Sequence, residues 1–377
     1  MHIEAGIPDG HGREERRSTG DVARSTAGLR RSRALLALLL FGLAPLAPRP
    51  ARALTINLNM GADLAANAAA SAAFERAAQT WQSVFSDPVT VNIDANLTPL
   101  ADPNVIGATS PVFLHTDYNS ARSALIADAG ANEGILNFLP TAAQFNALIP
   151  AGPVTIGFNG LIASTKADFK ALGYTGLDAQ FGATDATIDF NSNFAFDYDP
   201  SNGIDANKQD FTATAIHEIG HALGFVSGVD AVDNALLNNT NANVSIFPLD
   251  LFRFPADALP TTTAEFTTFA RDFFPPDAAD FSDLANVWGL STGVNFGDGN
   301  QASHWKDDNS DPSRFIGVMD PTSGFGEGYD HITYADERAL GLIGWDLVQT
   351  PEPGSLGLLA LGLGFVGLGM PRRRRAG

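Results

Sequence analysis

Two histidines four residues apart, with a glutamate beside the first, are the residues of this chain whose types and spacing can do chemistry: His217-Glu218-Ile219-Gly220-His221. On a helix, positions i and i+4 project from one face, so both imidazoles can meet one metal ion and the neighbouring carboxylate can reach a water between them. Neutral imidazole nitrogens at a fixed separation suit zinc. A carboxylate that takes a proton from water and later returns it suits amide hydrolysis. The pattern predicts His217 and His221 as zinc ligands and Glu218 as general base and acid.

The helix that must carry them has its own signals. Asp210 stands at an N-cap position, and Phe211, Ala215, Ile219 and Leu223 recur every four residues as a buried stripe with the histidines at its edge. Gly224 follows, a residue free to take a positive φ and reverse the chain. An ordinary amphipathic helix would show the same stripe, but it offers no reason for a glutamate between two histidines.

A closed ligand set needs a third member. The compact pattern HExxHxxGxxH would place a histidine at 227, where Ser227 stands, and Asp230, His304 and His331 remain as candidates. His304 has the most telling neighbours. Ser303-His304-Trp305 precedes Gly317-Val318-Met319-Asp320-Pro321, and Met319 and Met60 are the only methionines between Leu54 and Thr350.

Taken together, these motifs resemble the leishmanolysin-type branch of the metzincin zinc peptidases over roughly residues 186–346, with HExxHxxGF, a long insertion at 226–303, a His-Trp and a methionine turn. The resemblance implies an α+β fold: a zincin-like catalytic domain with an upper mixed-sheet lobe bearing the active-site helix and a lower irregular lobe. It also implies His217, His221 and His304 on zinc, Glu218 as base and acid, Met319 in the turn beneath, and a protein or peptide substrate. Asp230 and His331 rank behind His304. The family's tyrosine two residues beyond the methionine is absent, so oxyanion stabilisation would rest mainly on zinc; Tyr329 and Tyr334 could help, or simply pack.

The remaining elements read as a frame for that helix. Ala62–Phe85 has a helical period and Val89–Leu97 alternates as a strand; a second helix is expected at Ser120–Ala129, with short strands at Val112–His115 and Val154–Phe158. The lone His115 reads as an exposed or core-satisfied histidine. Thr187–Tyr198 alternates apolar and polar residues, and residues 186–197 are the expected rim over the cleft, with an interior hairpin the equal alternative. Asp197, Asp199 and Asp205 crowd a loop around Gly203 and are candidate calcium ligands, solvated turn residues being the competing reading. Leu249–Phe254 reads as a packed strand, Phe266–Phe274 as a short amphipathic piece, and Gly293–Gly299 as the bend that delivers His304. Thr333 caps a closing helix with Asp336 three residues on, and Ala339, Leu340, Ile343 and Trp345 form its apolar side.

The chain ends carry targeting signals. Arg30, Arg31 and Arg33 lead into the apolar run Ala34–Ala47 and then Ala51-Arg52-Ala53, the order of a signal peptide over 1–53 with a mature start at Leu54. Pro351-Glu352-Pro353, the apolar Gly354–Met370 and the cluster Arg372–Arg375 resemble a PEP-CTERM sorting signal over 350–377. That resemblance implies an exosortase-type processing partner and transient entry of this segment into the membrane; a plain C-terminal anchor is the alternative. Either reading places residues 54–349 outside the inner membrane, at the cell surface or beyond it.

Between Leu54 and Thr350 there are 36 acidic and 10 basic residues, a net charge of −26, which speaks against a nucleic-acid partner. With no cysteine in the chain, neither disulfides nor a cysteine on zinc can play a part. The expected activity is that of an exported zinc endopeptidase. The alternative is a surface or matrix protein with an inactive or calcium-stabilised zincin fold.

Overall fold

Alanine at close spacing lets the helix Ala68–Val84 lie flat on a sheet: Ala70, Ala73, Phe74, Ala77, Ala78 and Trp81 are all buried along one face. Asn67 starts this helix by accepting the Ala70 amide at 3.1 Å. A shorter helix, Ala62–Ala66, precedes it. The Ala62–Phe85 region is therefore two helices broken at Asn67.

The computed structural model describes residues 53–130, 133–147, 156–157, 160–253, 271–273, 288–309 and 311–348. The signal-peptide and sorting-signal expectations fall outside these residues, as does most of Phe266–Phe274. No described helix is long and apolar enough to cross a membrane.

The architecture is mixed α+β. Four strands form one sheet in the order Thr55–Met60, Thr90–Thr98, Ala186–Asn191, Gly107–Pro111. The first three run parallel, with Ile93 opposite Ala186, and the last runs antiparallel, with Thr109 opposite Ile188. Along the second strand Val91, Ile93 and Ala95 are buried beneath the helices. On its other face Asn92, Asp94 and Asn96 bond to Asn57, Asn59 and Asp189, a polar ladder that suits a wet sheet surface.

Residues 186–197 do not form the rim. Ala186–Asn191 is an interior strand, and Gly107–Pro111 is the edge strand beyond it, on the side of the histidine-bearing helix. Ile188 and Phe190 are fully buried because helices cover their face of the sheet, with the Phe190 ring 5.2 Å from that of Phe74 and 4.5 Å from that of Phe211.

The helix that carries the HExxH residues spans Phe211–Leu223, with the Asp210 carboxylate accepting the Ala213 amide at 3.0 Å. Phe211, Ala215, Ile219 and Leu223 are fully buried, as their spacing predicts. Two tryptophans hold the helix along its length: Trp81 Nε1 donates to the Ile216 carbonyl and Trp345 Nε1 to that of Leu223, each at 2.9 Å. The helix stops at Gly224, whose φ is +126°.

Past the helix the chain is less regular. The described part of Leu249–Phe254, up to Arg253, is not a strand: Pro248–Phe252 forms a 3₁₀ turn, which Pro248 begins and in which the Asp250 carboxylate accepts the Phe247 amide at 3.1 Å. The closing helix spans Tyr334–Ile343, with the expected Thr333–Asp336 capping box, and its Ala339, Leu340 and Ile343, with Trp345 just beyond, are buried.

Candidate metal centre

Each imidazole of the HExxH pair is oriented by a backbone carbonyl. His217 Nδ1 lies 2.8 Å from the Val318 carbonyl in the methionine turn, and His221 Nδ1 lies 2.8 Å from the Phe225 carbonyl just beyond the helix. A carbonyl only accepts, so both rings carry their proton on Nδ1 and present Nε2 as a bare lone pair. His304 repeats the arrangement with the Gln301 carbonyl at 3.0 Å. Three proton-free nitrogens then converge, with Nε2 separations of 3.1, 3.2 and 3.2 Å.

That convergence tests whether the residues fit a metal. Three acceptors with no donor among them repel, and a shared cation removes the conflict. Zn–N bonds of 2.0–2.1 Å at tetrahedral angles would put ligand nitrogens roughly 3.3 Å apart, close to the separations found here. Burial lowers the pKa of His217 to about 4 and that of His304 to about 3, and carries His221 well below its ordinary value, with neighbouring histidines adding to the effect at His221 and His304. All three rings are therefore neutral at pH 7, the form that ligates. The donor set fits zinc.

Met319 lies under the helix, fully buried, where its Sδ fills the space that a side chain at Gly220 would need. The glycine of HEIGH is thus required by the methionine below it. Trp305 links the two flanks: its amide donates to the Met319 carbonyl at 2.9 Å and its indole to Asp336 at 2.8 Å.

The other ligand candidates are elsewhere. Asp230 gives one carboxylate oxygen to the Val294 amide at 2.9 Å and the other to the Ala302 amide at 2.7 Å, which makes it an anchor for the bend leading to His304. Among the described residues His331 does not join the histidine group; it is exposed and packs beside Phe315. Ser227, at the compact third-ligand position, donates its amide to Ser303 Oγ at 3.0 Å and its hydroxyl to Asp250 at 2.7 Å. It secures the neighbour of the ligand that replaces it.

Asp197, Asp199 and Asp205 do not form a metal group among the described residues. Asp197 accepts the Asp199 and Asp205 amides, each at 3.1 Å, Asp199 accepts the Ser201 amide at 3.2 Å, and Asp205 pairs with Lys208 at 2.6 Å. They are turn residues. A different acidic group, Asp307, Asp308 and Asp320, does bring its oxygens together.

No protein family, curated protein or solved structure matches this chain. The chemistry of the centre is therefore read from its own geometry.

A cleft of about 1000 Å³ holds the three histidines and Glu218, with the edge strand along one wall and Tyr329 among its other lining residues. Tyr334 is 54% exposed and packs on Trp288, a structural position. His115 lies 2.6 Å from Ser245, a satisfied histidine as expected. The Glu218 carboxyl is buried, and burial raises its pKa to about 7 against the opposing hydrogen bond from Thr109. Thr109 was not visible in the sequence as a site residue. Gly107-Ala108-Thr109-Ser110-Pro111 has no alternating apolar face to mark it as a strand, and only the fold brings it to Glu218.

Proposed function

We propose that the chain is a zinc-dependent endopeptidase of metzincin type, cleaving an extended segment of a protein or peptide. One observation carries this reading: the Nε2 atoms of His217, His221 and His304 converge within 3.2 Å of one another in a cleft that the buried Glu218 also lines. The methionine beneath the active-site helix and the His304-Trp305 link to it add support, because they reproduce the order of parts that the sequence resemblance implies.

A zinc ion held by the three histidines supplies a Lewis acid that polarises a carbonyl and lowers the pKa of water. Glu218 removes a proton from the attacking water and passes it to the departing amine. Its buried carboxyl, held by the Thr109 hydroxyl at 2.6 Å, is placed to accept that proton and to release it again. The edge strand Gly107–Pro111 offers backbone groups on its unpaired side to an extended substrate. The targeting signals place this activity outside the inner membrane, after removal of residues 1–53 and processing near Pro351-Glu352-Pro353.

The test compares the purified protein with its Glu218→Ala variant on a mixed peptide library, with zinc content measured on both. Cleavage by the wild type alone, with zinc in both, is the expected result. Zinc in both with cleavage by neither would remove the peptidase reading, and zinc in neither would remove the metal centre with it.

A further inference from the structure

Glu218 is held from the side of the sheet by two residues that lie on one face of the edge strand. Gly107 and Thr109 both face the active-site helix, while Ala108 and Ser110 point outward and are exposed. The Thr109 hydroxyl lies 2.6 Å from Glu218 Oε2 and 2.9 Å from the Glu218 carbonyl oxygen. A Cβ at Gly107 would stand 2.7 Å from Glu218 Oε1 and 3.0 Å from its Cγ. The carboxyl is therefore bonded at one oxygen and closely packed at the other.

We infer that Thr109 is a positioning residue that fixes the Glu218 carboxyl for proton transfer, with Gly107 providing the space, so that the strand offered to substrate also sets the base. The inference rests on the peptidase reading above and deepens it. One hydroxyl has one proton and here two acceptors, so it donates to one at a time. With Glu218 as carboxylate, the hydroxyl donates to Oε2. Once Glu218 has taken the proton from water on Oε1, the oxygen that Thr109 does not hold, Oε2 still accepts from the threonine hydroxyl. The carboxyl keeps a partner in both states without changing rotamer, and the transferred proton remains on Glu218 until the amine takes it. Because Thr109 lies in the strand that would pair with an extended peptide, any shift of that strand on pairing moves the partner of the base.

The test uses the zinc-loaded protein with Thr109→Val, Thr109→Ser and Gly107→Ala. Thr109→Val keeps the branched shape and removes the hydroxyl. It should lower kcat by about tenfold or more while KM, melting temperature and zinc affinity by chelator competition stay near wild type. Thr109→Ser should restore most of kcat. Gly107→Ala keeps the hydroxyl, crowds the carboxyl and should again lower kcat with zinc retained. Wild-type kcat in Thr109→Val overturns the inference, as does a loss of zinc or of cooperative melting that Thr109→Ser fails to repair. Crystal structures of zinc-loaded wild type and Thr109→Val decide the matter independently of turnover. Displacement of the Glu218 carboxyl in the variant is expected, and an unmoved carboxyl overturns the inference even if no peptide is cleaved, the latter being a failure of the peptidase reading alone.

Discussion

His304 and Asp230 separate two roles that look alike in sequence. Each is an acid or imidazole at a plausible distance along the chain from His221, but only His304 brings a free nitrogen to the other two. Asp230 has both oxygens committed to the amides of Val294 and Ala302, two residues short of the ligand. His304→Ala should therefore lower zinc affinity by more than about a hundredfold, since it removes one of three direct bonds. Asp230→Ala should lower it by about tenfold, the scale of a support behind a ligand. Competition with a chromogenic chelator reads both, and the reverse ranking would transfer the ligand role to Asp230.

At the scale of elements, one carboxylate joins three pieces of chain that the sequence presents separately. Asp336 accepts the Thr333 amide and the Val318 amide at 2.9 Å each, and the Trp305 indole at 2.8 Å. It thus ties the closing helix, the methionine turn and the His304-Trp305 segment together while fully buried. Removing an acceptor from three donors, one of them a helix cap, costs about 3 kcal/mol, so Asp336→Ala should show that loss in urea unfolding. Thr333→Val should cost about 1 kcal/mol, since it removes the hydroxyl that caps the Asp336 amide and lies 2.8 Å from the Ile316 carbonyl. Equal losses in the two variants would mean that the links to Val318 and Trp305 add nothing. The sequence made the cap legible through the spacing of Thr333 and Asp336, and the active-site helix through its four-residue stripe, because both are local. It could not show that Asp336 also reaches Trp305, nor that Gly107–Pro111 rather than Ala186–Asn191 is the edge, because those depend on contacts between distant segments. Leu249–Phe254 misled for a related reason: its apolar residues read as a packed strand, but Pro248 and the Asp250 carboxylate close a turn there.

Across the whole molecule the acid excess was plain in composition, whereas its uneven burial was not. Asp87 and Asp128 are each raised to about 7, chiefly by burial, with the nearby Asp346 adding to both. For Asp87, ordinarily near 3.8, the folded protein holds a proton between about pH 4 and 7 that the unfolded chain releases. Its contribution to stability is thus complete below about pH 4 and is lost as pH rises through 7. The converging histidines His217 and His304 act in the opposite direction, since their pKa values are lowered and their share of stability is lost as pH falls below 6.5. Absolute stability mixes the two, but a single substitution separates them. Asp87→Asn keeps an acceptor for the Asp346 amide, which Asp87 holds at 2.9 Å, and removes the titration. Relative to wild type, the variant should lose the decline in stability between pH 4 and 7, a difference of at most about 1.4 kcal/mol per pH unit. Urea unfolding at fixed ionic strength across that range measures it, and parallel stability curves would mean that Asp87 is already ionised in the fold.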